Sequence, residues 1–377
     1  LLVEEPEAHL HPQRQLQLME FLEKAAKPTD GLRPVQVVLT THSPNLSSKI
    51  PIQNLVLMHR GHAFSLAEDQ TCLGADDYRF LSRFLDVTKA GLFFAKGLLV
   101  VEGDAEAILL PALARRLGKD LTKHGVSVIN VGGVGLRRYS KIMQRRDTSK
   151  GEISIPTACI TDMDVMPDCA PEIHELVTGP TDPKWSSTTR RWKAVRDFGA
   201  NTAEQEAGMA EHRQKRMVGD GQCVRTFVAD HWTLEYDLAF SGLAREVHAA
   251  AYLAINEEKV DQGKVTRAAL LVEAETAFKA IEAAHSTKEA RCSAVYKLVK
   301  KASKTITAQH LIDLIEERFE AKTLDAATLR GSLSKSVIHA IEYATSGSAV
   351  PPTGSTVTPV AMGTVAGTSA AVEESEE

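Results

Sequence analysis

The pattern of apolar and polar positions predicts two successive β/α series followed by a helical region. In the first series, an apolar strand at 1–4 precedes a helix at 12–27, where apolar residues recur near helical spacing, and a strand at 35–40. A β-α-β order of this kind is typical of a parallel sheet. A further strand is predicted at 54–58 and a helix at 76–88.

The second series begins with the apolar run Gly97–Val101, which is typical of a strand buried on both faces of a parallel sheet. The elements predicted after it are a helix at 105–117, a strand at 126–131, a helix at 137–145 and a strand at 155–161. The first and third strands end in carboxylates and the second ends in glycines. Because ligands of open α/β sheets bind at the carboxyl ends of the strands, this edge is the first indication of function.

The later part of the chain is more polar and then helical. Residues 168–220 predict a long excursion from the sheet, and the segments 224–229 and 233–238 predict two more strands. Residues 240–345 are rich in Ala, Glu, Lys and Leu, and helical spacing recurs at 267–284, 290–301 and 308–319. After Ser346 there is no Leu, Ile, aromatic, Lys or Arg residue, which predicts disorder.

Composition narrows the class of protein. A length of 377 residues predicts two or three domains. The sequence has no apolar run of about 18 residues and no secretory signal, so we expect a cytoplasmic protein without a membrane partner. The five cysteines form no C-x-x-C pair, which argues against disulfides and structural zinc. The chain opens directly in an apolar strand without Met, and we expect a fragment cut inside a domain.

The first motif lies in the segment 1–12, where an apolar strand ends in Glu4 and Glu5, and the strand at 35–40 is followed by Thr41-His42-Ser43-Pro44. These segments resemble the Walker B, D-loop and switch-histidine segments of ABC-type ATPases of the SMC/RecF group. The resemblance implies Walker B roles for Glu4 and Glu5 and a γ-phosphate contact for His42. The sequence contains no G-x-x-x-x-G-K-[ST] phosphate loop, so we expect no appreciable ATP binding or hydrolysis by this chain alone.

The second motif is a set of carboxylates at two strand ends. Glu102, Asp104 and Glu106 follow the strand at 97–101, and Asp162 and Asp164 follow the strand at 155–161. Asp162 and Asp164 are two residues apart on extended backbone and point the same way, whereas Glu102 and Glu106 are about one helical turn apart. The convergence of four or five carboxylates requires cations, and hard oxygen ligands suit Mg²⁺ or Mn²⁺.

The segments 98–104, 130–133 and 160–164 resemble the Toprim domain of topoisomerases, primases and certain nucleases. With the ATPase-like half before it, the chain is similar to the OLD (overcoming lysogenization defect) family of ATPase-nucleases over roughly residues 1–240. The resemblance implies an α/β fold class, in which a Toprim domain with a Rossmann-like parallel sheet and an α-helical addition follow the C-terminal part of an ABC-type ATPase domain. The expected divisions are a partial ATPase segment at 1–95, a Toprim domain at 96–240, a helical domain at 241–345 and a disordered tail at 346–377.

The resemblance also implies roles for individual residues. Glu102, Asp162 and Asp164 would be the core metal ligands, Glu106 would join a two-metal site, and Asp104 would be a ligand or support one. Glu235 matches a later acidic position of these nucleases, or is a strand acid that faces water. For the late basic residue of the family the candidates are Lys335, Arg330 and Lys264.

Two divalent ions would activate a water and stabilise the departing 3′ oxygen, which predicts a DNA endonuclease. A non-catalytic Toprim scaffold in a recombination complex and an NTPase fragment with structural carboxylates are alternatives. A topoisomerase-like strand transferase needs a nucleophilic tyrosine, and no tyrosine lies in a context that indicates one.

The net charge at first argues against DNA as a partner, because the sequence has 44 Lys and Arg residues but 49 Asp and Glu residues. The tail after Ser346 holds four of the acids and no Lys or Arg, so the rest of the chain is nearly neutral and its cations cluster. The candidate DNA-binding residues either neutralise phosphates or are solvated faces: Arg190, Arg191 and Lys193 beside Trp185 and Trp192, and Lys297, Lys300, Lys301 and Lys304 on one predicted helix. A homodimer through the ATPase segment is expected by analogy with ABC ATPases.

Overall fold

The computed structural model describes residues 1–28, 33–133, 135–217 and 219–347. The strands are β1 (Leu2–Glu4), β2 (Val38–Thr40), β3 (Val56–His59), β4 (His62–Ser65), β5 (Gly97–Val101), β6 (Val126–Asn130), β7 (Thr157–Thr161), β8 (Val165–Met166), β9 (Lys193–Ala194) and β10 (Val224–Val228). The tail after Ser346, for which disorder is predicted, lies beyond these residues apart from Gly347.

Fifteen α-helices are formed by the described residues. They are α1 (Pro12–Ala26), α2 (Pro44–Ser47), α3 (Ala75–Phe84), α4 (Val87–Ala90), α5 (Asp104–Arg116), α6 (Leu136–Lys141), α7 (Ala170–Ile173), α8 (Thr202–Arg216), α9 (Leu234–Leu238), α10 (Ala244–Asp261), α11 (Arg267–Ala284), α12 (Lys288–Val299), α13 (Lys304–Glu320), α14 (Ala326–Gly331) and α15 (Lys335–Ser346). No helix among the described residues is long and apolar enough to span a membrane.

A parallel sheet of four strands, in the order β10-β7-β5-β6, is the centre of the mixed α/β fold. All five residues of β5 are buried, which confirms the strand predicted at this run. Val100 pairs with Cys159 and Val101 with Asn130, so β5, β6 and β7 reach the same edge. The carboxyl ends of the three strands are therefore side by side.

Alternate residues of the sheet enter two different cores, because successive side chains of a strand point to opposite faces. Leu99 and Val101 pack into a core that includes buried residues of α5, α12, α13 and α15. Leu98 and Val100 pack into a second core with buried residues of the β3-β4 hairpin, α3 and α6. Both faces of the sheet are covered, as its apolar strands predict.

The first β-α-β unit forms as predicted. β1 and β2 are parallel, with Glu4 opposite Thr40, and α1 connects them. Its small core contains Met19, Leu22 and Leu46.

The strand predicted at 233–238 is wrong, because this segment forms α9. The Thr233 side chain caps the helix by accepting a hydrogen bond from the backbone of Tyr236, and all five residues of α9 are buried. A short apolar run cannot be assigned by periodicity alone, and here the local cap selects the helix. The helix predicted at 76–88 is interrupted after Phe84, since Asp86 caps a separate α4.

Gly97 allows α15 to lie against the start of β5. A Cβ atom at this position would overlap the carbonyl oxygen of Ala344 in α15. We expect Gly97→Ala to lower the free energy of unfolding by about 1–3 kcal/mol, as overpacking does. Gly331→Ala, at a helical position with open space, is the control and should change it by less than about 1 kcal/mol. Equal urea midpoints for Gly97→Ala and the parent chain would contradict this role.

Candidate functional site

The ends of β5 and β7 are joined by a hydrogen bond between side chains. Thr161 Oγ1, at the last position of β7, donates to Glu102 Oε1 at 2.6 Å. Glu102 directly follows β5, and Asp162 directly follows β7. The predicted convergence of the two acidic strand ends is therefore present.

Glu106 reaches the same edge from the first turn of α5. A Cβ atom on Gly103 would lie 2.9 Å from Glu106 Oε2, so the glycine leaves room for this carboxylate. Burial raises the pKa of Glu106, and the negative charges of Glu235 and Glu102 raise it further, although Lys304 opposes them. Glu106 is thus within electrostatic range of carboxylates from two other segments.

Asp162 is the most strongly perturbed of these acids. Its Oδ1 accepts a hydrogen bond from the backbone N–H of Leu234 at 2.9 Å. Burial raises the pKa of Asp162 well above its ordinary value, and the charges of Glu235, Glu106 and Asp164 act in the same direction. The positive charge of Lys304 lowers the pKa of Asp162, but it does not offset these effects.

Glu235 faces this cluster from α9 and is 8% exposed. Its Oε1 lies 2.9 Å from the ammonium of Lys304, whereas its Oε2 is buried and has no hydrogen-bond partner. The interpretation of Glu235 as a strand acid that faces water is wrong. Its role as a metal ligand stays a prediction.

Lys304 is the cation that pairs with Glu235 in the cluster, whereas the sequence pointed to it only as one of several lysines on a basic helix. Burial tends to lower the pKa of Lys304, but the charge of Glu235 outweighs it and raises the pKa above the ordinary value. The predicted single helix with Lys297 breaks before Lys304, because Ser303 caps a new helix, α13. The Ser303 cap is the one local signal that could have separated Lys304 from the other lysines.

Asp164 is held by a second cation. Its backbone has a left-handed φ of 57°, and its carboxylate forms an ion pair with the guanidinium of Arg216, the last residue of α8. Arg216 Nη1 also lies 3.4 Å from Thr161 Oγ1. The excursion at 168–220, for which the sequence predicted only a basic cluster, therefore returns to the site.

The glycine-containing end of β6 is tied to the acidic end of β5. Asn130 donates to Asp104 Oδ1 at 2.6 Å and accepts a hydrogen bond from the N–H of Gly132 at 2.9 Å. The N–H of Gly133 donates to the carbonyl oxygen of Glu102 at 2.6 Å. Asp104 thus lies on the β6 side of the cluster.

Asp237 shapes the loop that supports Asp162, a role that no sequence pattern indicated. Its buried carboxylate accepts hydrogen bonds from the backbone N–H groups of Asp230, His231 and Trp232. The carbonyl oxygen of Trp232 in turn accepts hydrogen bonds from the N–H groups of Met163, at 2.8 Å, and Asp164, at 3.2 Å.

As the side chains stand, no three His, Cys, Asp or Glu residues within the described ranges are grouped closely enough to hold a metal ion. Instead, Lys304 and Arg216 each neutralise one carboxylate at this edge. Metal binding by Glu102, Asp104, Glu106, Asp162, Asp164 and Glu235 stays a prediction.

The other candidates for the late basic residue lie in different contacts. The backbone N–H of Lys335 donates to Asp230 at 2.8 Å, but its ammonium forms no ion pair with any described residue. Arg330 pairs with Glu342 at 2.7 Å, and Lys264 is exposed after the end of α10. The cation that the structure brings to the carboxylates is Lys304.

The two ATPase-like segments also come together. Glu4 ends β1, and the adjacent Glu5 lies 3.4 Å from His42 Nε2. Glu7 accepts hydrogen bonds from Thr41 Oγ1 at 2.7 Å and from the N–H of His42 at 2.8 Å. Burial tends to raise the pKa of Glu7, but these hydrogen bonds and the nearby His42 lower it below the ordinary value.

The first basic cluster is partly neutralised. Arg190 pairs with Asp197 and lies 4.6 Å from the centroid of the Trp192 ring. Arg191 and Lys193 are exposed. This leaves two of the three predicted DNA-binding residues accessible without an ion pair among the described residues.

The second basic cluster is similar. Lys297 pairs with Glu175 at 2.5 Å. Lys300 and Lys301 are exposed between α12 and α13, and neither forms an ion pair with a described residue. These two lysines precede Lys304 in the same connection.

Comparison with known proteins gives matches to two family models. The TOPRIM domain of proteins like the overcoming lysogenization defect protein matches residues 93–164. This stretch contains Glu102, Glu106, Asp162 and Asp164. A model of an AAA domain matches residues 1–48, which contain Glu4, Glu5 and His42.

Several known proteins are similar to parts of the chain. The OLD nuclease of Thermus scotoductus is 26% identical over 44% of this chain and 31% of its own length. Endonuclease GajA of Bacillus cereus is 26% identical over 44% of this chain and 26% of its own, and the uncharacterized protein YbjD of Escherichia coli is 29% identical over 38% and 25%. The matches thus cover between a quarter and a third of these curated relatives.

Among solved structures, the C-terminal region of the Burkholderia pseudomallei OLD protein is 21% identical, with a TM-score of 0.34, over 66% of this chain and 96% of that one. The matched TOPRIM segment includes both acidic strand ends described above. Residues 93–164 of the chain thus form a TOPRIM domain of the kind found in proteins like the overcoming lysogenization defect protein.

Proposed function

We propose that this chain carries the active site of a metal-dependent DNA endonuclease that hydrolyses phosphodiester bonds with two divalent ions. The observation that carries the proposal is the hydrogen bond from Thr161 to Glu102, which joins the acidic ends of β5 and β7. Asp162 directly follows β7, and Glu106 and Glu235 are within electrostatic range of these ends. Two of the relatives are named as an endonuclease and a nuclease, which supports this reaction class.

The residues at this edge fit divalent metal ions. All of the donors are carboxylate oxygens, which suit Mg²⁺ or Mn²⁺. The unpartnered Oε2 of Glu235 and the raised pKa of Asp162 both indicate that the site lacks positive charge. Glu102, Asp162 and Asp164 would hold one ion, and Glu106 and Glu235 a second.

Such ions, when bound, supply Lewis-acid activation of water and stabilise the leaving oxygen. The chain's own residues prepare the site for this chemistry. Thr161 orients Glu102, and the N–H of Leu234 fixes Asp162. Lys304 remains protonated, so it offers a fixed positive charge to a phosphate at this edge. We assign to Lys304 the role of the late basic residue, with Lys335 as the second candidate.

DNA would approach over the exposed cations. Lys300 and Lys301 lie in the connection that leads to Lys304. Lys193 lies in β9, which pairs with Val165 and Met166 after Asp164, and Arg191 lies two residues before it. Such cations replace the counterions of DNA phosphates. Lys297 and Arg190 would contribute less, because each already has a carboxylate partner.

In the full-length protein this reaction would be coupled to an ABC-type ATPase. Glu4, Glu5 and His42 would contribute to a nucleotide site whose phosphate loop is absent from this sequence. A homodimer through the ATPase segment and a cytoplasmic location belong to the same proposal.

A non-catalytic scaffold is the second candidate function. It is favoured by the two ion pairs that Lys304 and Arg216 make with Glu235 and Asp164. A strand transferase is disfavoured, because burial raises the pKa of Tyr296 to about 12 and the pKa of Tyr236 still higher. Neither phenol is a ready nucleophile at neutral pH.

Plasmid cleavage separates the endonuclease from the scaffold. We expect this chain to nick supercoiled plasmid with Mg²⁺ or Mn²⁺, and Asp162→Ala to lower the rate at least about 100-fold, because it removes a metal ligand. Asp261→Ala, an exposed acid at the end of α10, should cleave normally. Cleavage by neither metal, or full activity of Asp162→Ala, would reject the proposed site.

Thermal unfolding at several pH values tests whether the negative charge of Asp162 is left uncompensated in the folded protein without metal. Since folding raises the pKa of Asp162 above the ordinary 3.8, its contribution to stability falls as pH rises from about 3.8 through the raised value. Without metal at pH 8, Asp162→Asn should therefore have a Tm higher than the parent chain by about 2–4 °C, and the gap should narrow towards pH 5. Saturating Mn²⁺ should stabilise the parent chain more than the variant.

The control for this measurement is Asp261→Asn, which should show no gap that depends on pH. A lower Tm for Asp162→Asn than for the parent chain at pH 8 would mean that the Asp162 charge is already compensated in the folded protein.

Substitution of single lysines tests the cation of the site. We expect Lys304→Gln to lower kcat about 100-fold or more, because the charge beside Glu235 is lost. Lys301→Gln is the matched control, an exposed lysine three residues away, and should mainly weaken DNA binding. If Lys335→Gln lowers kcat and Lys304→Gln does not, the late basic residue is Lys335.

A further inference from the structure

The last turn of α8 is fixed against the carboxyl edge of the sheet. Arg213 donates from Nη1 to the carbonyl oxygen of Val228 and from Nη2 to that of Asp230, both at 2.9 Å. The ring of His212 hydrogen-bonds to the carbonyl oxygen of Met163 at 3.1 Å. These contacts position Arg216, the last residue of the helix, beside Asp164 although no residue of α8 is buried.

Arg216 joins two of the candidate ligands. Its Nη2 pairs with Asp164, and its Nη1 lies 3.4 Å from Thr161 Oγ1, the hydroxyl that donates to Glu102. Its Nε is buried and has no hydrogen-bond partner. The guanidinium thus lies on the side of Asp164 that faces Glu102, where a cation shared by these two acids would lie.

The pairing of Arg216 with Asp164 is weak enough to be exchanged. The side chain of Asp164 is 61% exposed, and exposed ion pairs stabilise a protein by only about 0–1 kcal/mol. Among the described residues, the ion pairs to the candidate ligands are this one and that of Glu235 with Lys304. A divalent ion that binds Asp164 would have to share or displace Arg216.

A released guanidinium would be well suited to a phosphate. Arginine presents a planar set of N–H donors that matches phosphate oxygens, and its charge does not depend on pH in the working range. The unpartnered Nε is one donor that the folded chain leaves unused.

We propose that Arg216 is an exchangeable counter-ion, which neutralises Asp164 in the absence of a divalent ion and pairs with a phosphate of bound DNA when a metal takes Asp164. The inference rests on the proposed metal-dependent function and adds to it a residue that positions the bound strand. It also accounts for the return of the 168–220 excursion to the sheet.

Binding of Mn²⁺ without DNA tests whether Arg216 competes with a divalent ion for Asp164. We expect Arg216→Gln to bind Mn²⁺ about three- to tenfold more tightly than the parent chain, measured by the electron paramagnetic resonance signal of free Mn²⁺, because a competing cation is lost. Arg216→Lys keeps the charge and should stay close to the parent chain. Lys215 is adjacent to Arg216 and pairs with Glu211. Lys215→Gln therefore removes one positive charge without touching Asp164, and it should not change the Mn²⁺ affinity.

Unchanged or weaker Mn²⁺ binding by Arg216→Gln, with a Tm equal to that of the parent chain, would overturn the competition. A gain of equal size in Lys215→Gln would overturn it too, because the effect would then follow net charge and not the Asp164 contact.

The salt dependence of DNA affinity tests whether Arg216 pairs with a phosphate of DNA when a divalent ion is bound. With Ca²⁺ present, the slope of log affinity against log salt should be steeper by about one for the parent chain than for Arg216→Gln, since one more phosphate is neutralised. With EDTA the two slopes should agree, because Asp164 then holds Arg216. The affinities are measured by fluorescence anisotropy. Equal slopes for the two proteins under both conditions would reject the proposed contact between Arg216 and a phosphate.

These readouts are independent of cleavage. If the parent chain cleaves DNA but Arg216→Gln binds Mn²⁺ as the parent does, the counter-ion role of Arg216 is rejected and the proposed endonuclease activity is supported. If Arg216→Gln gains Mn²⁺ affinity but neither the parent chain nor any variant cleaves DNA, the proposed endonuclease activity is rejected and the counter-ion role of Arg216 is supported.

Discussion

Repulsion between carboxylates at the carboxyl edge of the sheet is the constraint on which the surrounding structure depends. The parallel register brings Glu102 beside the end of β7, and burial then makes each added negative charge costly, as the raised pKa of Asp162 indicates. Two cations offset part of this cost. Lys304 comes from the helical region and Arg216 from the excursion after β9, so both additions to the sheet serve its acidic edge.

The acidic strand ends could be predicted from the sequence because each one follows a buried strand directly. β5 begins and ends at the predicted residues, and the topology of parallel sheets then brings neighbouring strand ends together. Lys304 and Arg216 could not be found in this way, since α13 reaches the site by packing on α5, and α8 is anchored through Arg213 to backbone carbonyl groups. No local period of the sequence encodes such contacts. Glu235 was placed in the right neighbourhood but on the wrong kind of element, because five buried residues are too few to distinguish a helix from a strand.

The ATPase-like segment contacts the chain just before β5. The ring of His42 lies 6.4 Å from that of Phe94, three residues before Gly97, and α2 packs against α4. Glu7 holds the backbone of His42, so the position of this histidine depends on the segment after β1. His42 is thus in side-chain contact with the segment that leads into β5.

Local charge, and not net charge, governs whether such a protein can bind DNA. An edge with six carboxylates and no cations would repel phosphate strongly at short range, because a low local dielectric strengthens the interaction. Lys304 and Arg216 reduce that repulsion where it is greatest, and Lys300 and Lys301 extend positive charge outward from Lys304. The nearly neutral composition of residues 1–346 therefore conceals a separation of charge, in which acids occupy the strand ends and cations border them. Under the proposed function, the phosphate backbone of DNA would reach this border before the acids, so its approach would not require a basic protein.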